Sequence, residues 1–210
     1  MKRYLANSMT YQQYIKLIDD LLATGHTTGP IQSEAMFGYA KLNRSRMSRL
    51  EKTTALDDDV IRAATDAGRR QIWLVITEGW CGDAAQNIPV IEKIAETSDN
   101  IKTRYILRDE NIELIDQYLT AGARSIPKLI ALDAATLDVL FTWGARPKAA
   151  QDYFLEMKER GIEKAERNEK LQRWYNEDRG HSLMAEFAVL INGAEEPAPA
   201  IEIGAVSAAV

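Results

Sequence analysis

Cysteine and histidine are nearly absent from this sequence: one cysteine, Cys81, and two histidines among 210 residues. A lone cysteine excludes an internal disulfide framework and favours a reducing compartment, so a cytoplasmic protein is expected. His26 and His181 fall in loop-like stretches with no paired-ligand spacing. The reading is therefore no metal and no cofactor. Phosphate-binding loops and Ser-His-Asp patterns are missing too. No apolar run approaches the length of a membrane span, and the basic start MKRYLANSMTYQQY contains no signal-length apolar segment, so no membrane association is expected. Excess positive charge is also lacking. A net charge of −5 argues against a general nucleic-acid surface. What remains is a chain with 46% hydrophobic residues, long enough to bury a core in one or two domains.

The stretch QIWLVITEGWCGDAAQNIPVIEKI, residues 71–94, organises the rest. An apolar strand-like run, Ile72 to Ile76, feeds a turn bearing Trp80, Cys81, Gly82 and Asp83. A helical stripe of Ile88, Ile91 and Ile94 follows, with Pro89 inside it. A cysteine at the start of a helix faces unpaired N–H groups and the positive end of the dipole, which lower a thiol pKa. Asp83, and more distantly Glu78, oppose this by like-charge repulsion.

Upstream, Thr10 and Gln13 form a capping box for a helix that carries Tyr11, Tyr14, Ile15, Ile18, Leu21 and Leu22, with Met9 poised to staple onto Tyr14. A second helix is expected over 33–52. Its basic half (Lys41, Arg44, Arg46, Arg49, Lys52) reads as a solvated face, or alternatively as a patch facing an anion or thiolate beside Cys81. Asp57 caps a third helix, which ends at Gly68. Downstream, Ile101 to Leu107 reads as a strand and Asn111 to Leu119 as a helix with Ile112, Ile115 and Leu119 inward. Lys128 to Leu132 and Val139 to Trp143 read as hairpin strands, and a helix starts at Pro147. Glu163 to Asp178 is charge-rich, as in an exposed arm or a partner-facing helix. A short helix over 182–191 and a flexible tail over 193–210 complete the chain. The order of elements implies a parallel strand pair extended by an antiparallel hairpin, with helices on both faces.

From about Arg70 to Lys158 these residues resemble the thioredoxin superfamily, in particular members with a WCGD active-site sequence. WCGDA at Trp80–Ala84 stands where thioredoxins carry Trp-Cys-Gly-Pro-Cys. Pro89 stands at the family's helix kink, Arg124-Ser125-Ile126-Pro127 at its cis-proline loop, and Trp143-Gly144-Ala145 at the turn after its last strand. The resemblance implies an α/β thioredoxin-like fold, a mixed sheet in three α/β/α layers with additional N- and C-terminal helices. Its division is 1–55 as N-terminal helical extension, 56–160 as thioredoxin-like domain, 161–192 as C-terminal helical extension and 193–210 as tail. It implies Cys81 as the catalytic residue, with Trp80, Gly82, Asp83, Ile126 and Pro127 binding substrate at one surface site.

The departures from the family shape the chemistry. The resolving cysteine is replaced by Ala84, the buried aspartate by Val75, the threonine after the cis-proline by Lys128, and the proline between the cysteines by Asp83. Dithiol exchange needs a second thiolate to break the mixed disulfide. The expected function is therefore a monothiol redox protein, in which Cys81 forms mixed disulfides that a protein or low-molecular-weight thiol resolves. The alternative is a redox-inactive binding module that uses the cis-proline groove and the flanking helices.

Overall fold

Four strands and nine helices account for the regular structure of residues 1–195, the part of the chain that the computed structural model describes. The helix α1 (Lys2–Ala6) precedes α2 (Tyr11–Ala23), α3 (Glu34–Thr53) and α4 (Asp58–Thr65). Next come β1 (Gln71–Thr77), α5 (Gly82–Glu96), β2 (Ile101–Leu107) and α6 (Ile112–Ile115). The chain continues through β3 (Lys128–Asp133), β4 (Val139–Gly144), α7 (Lys148–Glu159), α8 (Lys164–Asp178) and α9 (His181–Glu195). Residues 193–195 are thus helical, and the rest of the expected tail, 196–210, lies outside the described residues.

The sheet order is β2-β1-β3-β4, with β1 and β2 parallel and the remaining pairs antiparallel. This is the mixed sheet that the thioredoxin resemblance implies. Almost every β1 residue is buried, as in a strand covered on both faces. On one face Trp73 meets Phe187 of α9 edge-on at 5.2 Å, and Phe187 also contacts Phe141 and Trp143 of β4. Tyr105, beside Val75 in the β1–β2 register, stacks on Tyr14 of α2 at 5.4 Å. The outer edge of β2 is closed by a backbone bridge between Met9 and Tyr105, which protects an edge open to intermolecular pairing.

The capping box of α2 forms as the sequence predicts: the Thr10 side chain accepts from the Gln13 N–H and the Gln13 side chain accepts from the Thr10 N–H. Three local expectations need correction. The helix expected over 111–119 is a single turn, after which Gln117 and Tyr118 donate to carbonyls three residues back and tighten the chain out of α geometry. Leu114 is consequently buried and Leu119 exposed. Asp57 holds the N-cap position of α4 but makes no cap bond, because its carboxylate pairs with His181 Nδ1 at 2.8 Å. The charge-rich α8 is no free arm. It packs on α7 through Leu171 and Tyr175, together with Ala150 and Met157, in a small cluster separate from the main core.

Candidate active site

The turn that delivers Cys81 is closed by its own backbone: the Cys81 N–H donates to the Glu78 carbonyl at 3.1 Å. Cys81 is the N-cap of α5, so its sulfur faces the free N–H groups of the first turn and accepts a long 3.5 Å contact from Ala84. The thiol donates to the carbonyl of Ile126 at 3.2 Å. Ile126–Pro127 is a cis peptide, and so is Gly144–Ala145 beside it. Gly144 approaches so closely that a Cβ there would lie 2.1 Å from the Pro127 oxygen. Trp80 is half-buried, with the Arg108 guanidinium 4.8 Å over its ring. Cys81, Trp80, Gly82, Asp83, Ile126 and Pro127 thus occupy one locality. It is not the open surface site expected, since Cys81 is only 8% exposed.

Electrostatics at the sulfur also run against the simple helix-dipole expectation. Burial pushes the Cys81 thiol up to about 12 and Asp83 adds repulsion, while the backbone N–H groups of Ala84 and Asp83 and the charge of Arg146 oppose them incompletely. At neutral pH the resting group is a thiol, in keeping with its hydrogen bond to Ile126.

Asp83 is itself tied down by residues that the sequence does not connect to it. Arg146 pairs with its carboxylate at 2.8 Å and the Tyr175 hydroxyl donates to it at 2.9 Å. Asn87 Nδ2 lies near both the Tyr175 hydroxyl (3.2 Å) and the Asp83 carbonyl (2.8 Å). Gln172 accepts from Gln86 at 2.9 Å. Burial raises the Asp83 pKa, and Arg146 and Tyr175 pull it back. The α8 helix therefore clasps the start of α5 through polar contacts. The pair Trp174-Tyr175 on an otherwise charged helix is the one sequence signal of this, and Arg146 carries none. Replacing Tyr175 with Phe removes a hydrogen bond to a charged acceptor whose side chain is only 12% exposed. It should cost about 2 kcal/mol in urea unfolding, and a loss below about 0.5 kcal/mol, as for an ordinary surface change, would argue against the clasp.

The residues that stand in place of the family's buried aspartate and resolving cysteine are both buried. Val75 is fully buried between its β-neighbours Tyr105 and Leu129, and Ala84 is 2% exposed. Lys128 does not serve the thiol in any contact seen here: its ammonium lies 3.4 Å from the Thr120 hydroxyl, and burial lowers its pKa. Glu78 is wholly buried, accepts from the Asp109 N–H at 2.9 Å and has its pKa raised by burial. The basic half of α3 divides. Arg44 pairs with Asp19 at 2.8 Å and Arg49 donates to Asn176 at 3.0 Å. Arg46 is half-buried near Gly82 and donates to the Asn43 side chain at 3.0 Å.

A groove of about 500 Å³ runs between α3 and α8 beside Trp80, Gly82 and Asp83. A slightly larger depression of about 530 Å³ lies around Gln71, Asn100 and Asp133, at the opposite end of β1 from Cys81. The first therefore concerns the site. No helix among the described residues is long and apolar enough to cross a membrane.

A thioredoxin family model matches residues 29–166. Among solved structures, an HIV epitope-scaffold is similar at 17% identity and TM-score 0.55, with 88% of this chain and 99% of that chain covered. A protein of unknown function from Pseudomonas aeruginosa is similar at 18% identity and TM-score 0.54, covering 89% and 99%. At these identities the likeness concerns the fold alone. No curated protein matches the sequence.

Proposed function

The chain belongs to the thioredoxin family, and from that premise we propose that it is a monothiol redox protein acting through Cys81. One observation carries the reading: the only sulfhydryl of the chain caps α5 with its sulfur 3.2 Å from the carbonyl that precedes Pro127. In the proposed cycle Cys81 loses its proton to solvent and its thiolate attacks one sulfur of a disulfide R–S–S–R′. The Cys81–S–S–R bond forms and R′–S⁻ leaves, to be protonated by water. An external thiol X–SH then supplies the electrons for resolution. Its thiolate attacks the R sulfur, X–S–S–R departs, and Cys81 takes up a proton. Trp80, Gly82, Asp83, Ile126 and Pro127 form the substrate-facing surround. A reducing cytoplasm suits a protein whose single thiol must be returned to the reduced form by an external thiol after each turnover.

The second reading, a binding module that uses the cis-proline groove and its flanking helices, is favoured by the burial and the Asp83 charge that hold the thiol neutral. Incubation with bis(2-hydroxyethyl) disulfide separates the two. The redox reading expects the folded protein to gain one mixed disulfide by mass, lost on addition of thiol and absent in Cys81→Ser. Labelling that occurs only in denaturant would sink it in favour of the binding module.

A further inference from the structure

We propose that the groove between α3 and α8 seats a carboxylate-bearing low-molecular-weight thiol, the external thiol that resolves Cys81. The inference rests on the monothiol reading and names its co-substrate class. Its first support is position. Trp80, Gly82 and Asp83, the residues flanking Cys81, form one wall of the groove. Gly82 leaves that wall bare: a Cβ there would lie 3.5 Å from Gln172 Nε2 and 3.9 Å from Arg46 Nη1. A guanidinium and an amide therefore stand at ordinary contact distance from the bare Gly82 backbone, one residue from Cys81, with Asn43 Oδ1, which already accepts from Arg46 Nη1, beside them.

Charge supplies the second support. Asp83 is neutralised by Arg146 at 2.8 Å, and Glu169 on the rim by Arg173 at 2.5 Å. Arg46 has no carboxylate within ion-pair distance among the described residues, and neither has Lys164 on the same rim. Burial and the nearby Arg49 lower the Arg46 pKa, as expected for a partly desolvated cation that lacks a counter-ion. An incoming carboxylate supplies that counter-ion through a charge-assisted, fork-like contact.

Size and polarity narrow the class further. About 500 Å³ lies within the range of small-molecule sites. On the α3 side the lining includes Tyr39 and Leu42, two of the exposed large hydrophobic residues of the protein, and on the α8 side the buried Leu171. A short aliphatic or peptide-like body with an anionic end matches these walls. With the anion at Arg46, a thiol a few bonds away reaches toward the Cys81 turn. Resolution balances as Cys81–S–S–R + X–SH giving Cys81–SH + X–S–S–R, in which the thiolate of X–SH attacks the R sulfur and its proton ends on Cys81.

Two measurements test this. Calorimetric titration with S-methylglutathione, which carries carboxylates but no free thiol, should show one site that weakens about tenfold in Arg46→Met. It should weaken also in Lys164→Met, a change at an exposed position that leaves the fold intact. Absence of binding, or equal binding by all three proteins, overturns the proposal. In the second measurement Cys81 is capped as its methyl disulfide, and release by 3-mercaptopropionate is compared with release by 2-mercaptoethanol. Each rate is scaled to that thiol's rate on methyl-capped free cysteine. A preference of about tenfold for the carboxylate thiol, lost in Arg46→Met, supports the groove. Release without preference overturns the groove assignment while leaving the monothiol reading standing. A folded protein that cannot be capped at all overturns both.

Discussion

Asp83→Asn should make Cys81 markedly more reactive. In the wild type, burial and then the Asp83 charge push the thiol up to about 12. Its alkylation by iodoacetamide should therefore climb about tenfold per pH unit from pH 7 to 10 without a plateau. Asparagine keeps the shape of the side chain, removes the repulsion and leaves the cationic Arg146 nearby without its partner. Both changes favour the thiolate, so the rate at fixed pH should rise by about tenfold, the effect of one pKa unit. A rate unchanged or lowered in Asp83→Asn would mean that Asp83 does not govern the sulfur. Linkage provides a second readout. A thiol whose folded pKa lies above its ordinary 9.0 contributes stability that is fully present below pH 9 and lost as pH rises toward 12. Wild-type protein should therefore lose stability across that alkaline window faster than Cys81→Ala. Identical alkaline profiles would contradict the raised pKa. Asp83→Asn also deprives Arg146, in the turn between β4 and α7, of its anion and leaves the Tyr175 hydroxyl of α8 a weaker, neutral acceptor, so both should hold the start of α5 less firmly as the sulfur becomes reactive.

The second large effect is expected at Gly144, where the turn after β4 passes over Pro127. Gly144 has φ +125, and a Cβ would meet the Pro127 oxygen at 2.1 Å and the Lys128 Cα at 3.2 Å. Those neighbours are backbone, so no rotamer change relieves the clash. Gly144→Ala should cost about 3 kcal/mol or more in urea unfolding. Gly122→Ala is the control. Gly122 also has a positive φ, +76, but nothing lies within 4 Å of its Cβ position, so the change should cost only about 1 kcal/mol. Equal losses at the two positions would show that close approach is not what requires glycine at 144.

Much of this protein was legible in the sequence because its signals are local. The capping box at Thr10 and Gln13, the apolar run of β1 and the helical stripe of α5 each depend on residues within a few positions of one another. The same holds for WCGDA, Ile126-Pro127 and Trp143-Gly144, whose order along the chain marked the thioredoxin fold. The absence of a second cysteine was plain as well, and it alone dictates that any disulfide chemistry must borrow an external thiol.

Tertiary structure decided the state of that one sulfur. A helix N-terminus favours a thiolate, but it offers only about half an elementary charge, whereas removing the sulfur from water forfeits the hydration of the thiolate's whole charge. Burial depends on where β3 and the Ile126–Pro127 segment pass, which no spacing near Cys81 encodes. The role of α8 was hidden for a related reason. Its charged surface resembles that of a solvated helix, and only folding brings Tyr175 and Gln172 onto the start of α5 and sets Arg146 against Asp83. The basic half of α3 was divided in the same way, with Arg44 paired and Arg46 left without a carboxylate beside Gly82. Sequence thus determined the fold and the single thiol. The long-range contacts determined its protonation, its cover and the charge of the groove beside it, because desolvation and ion pairing are properties of neighbours in space.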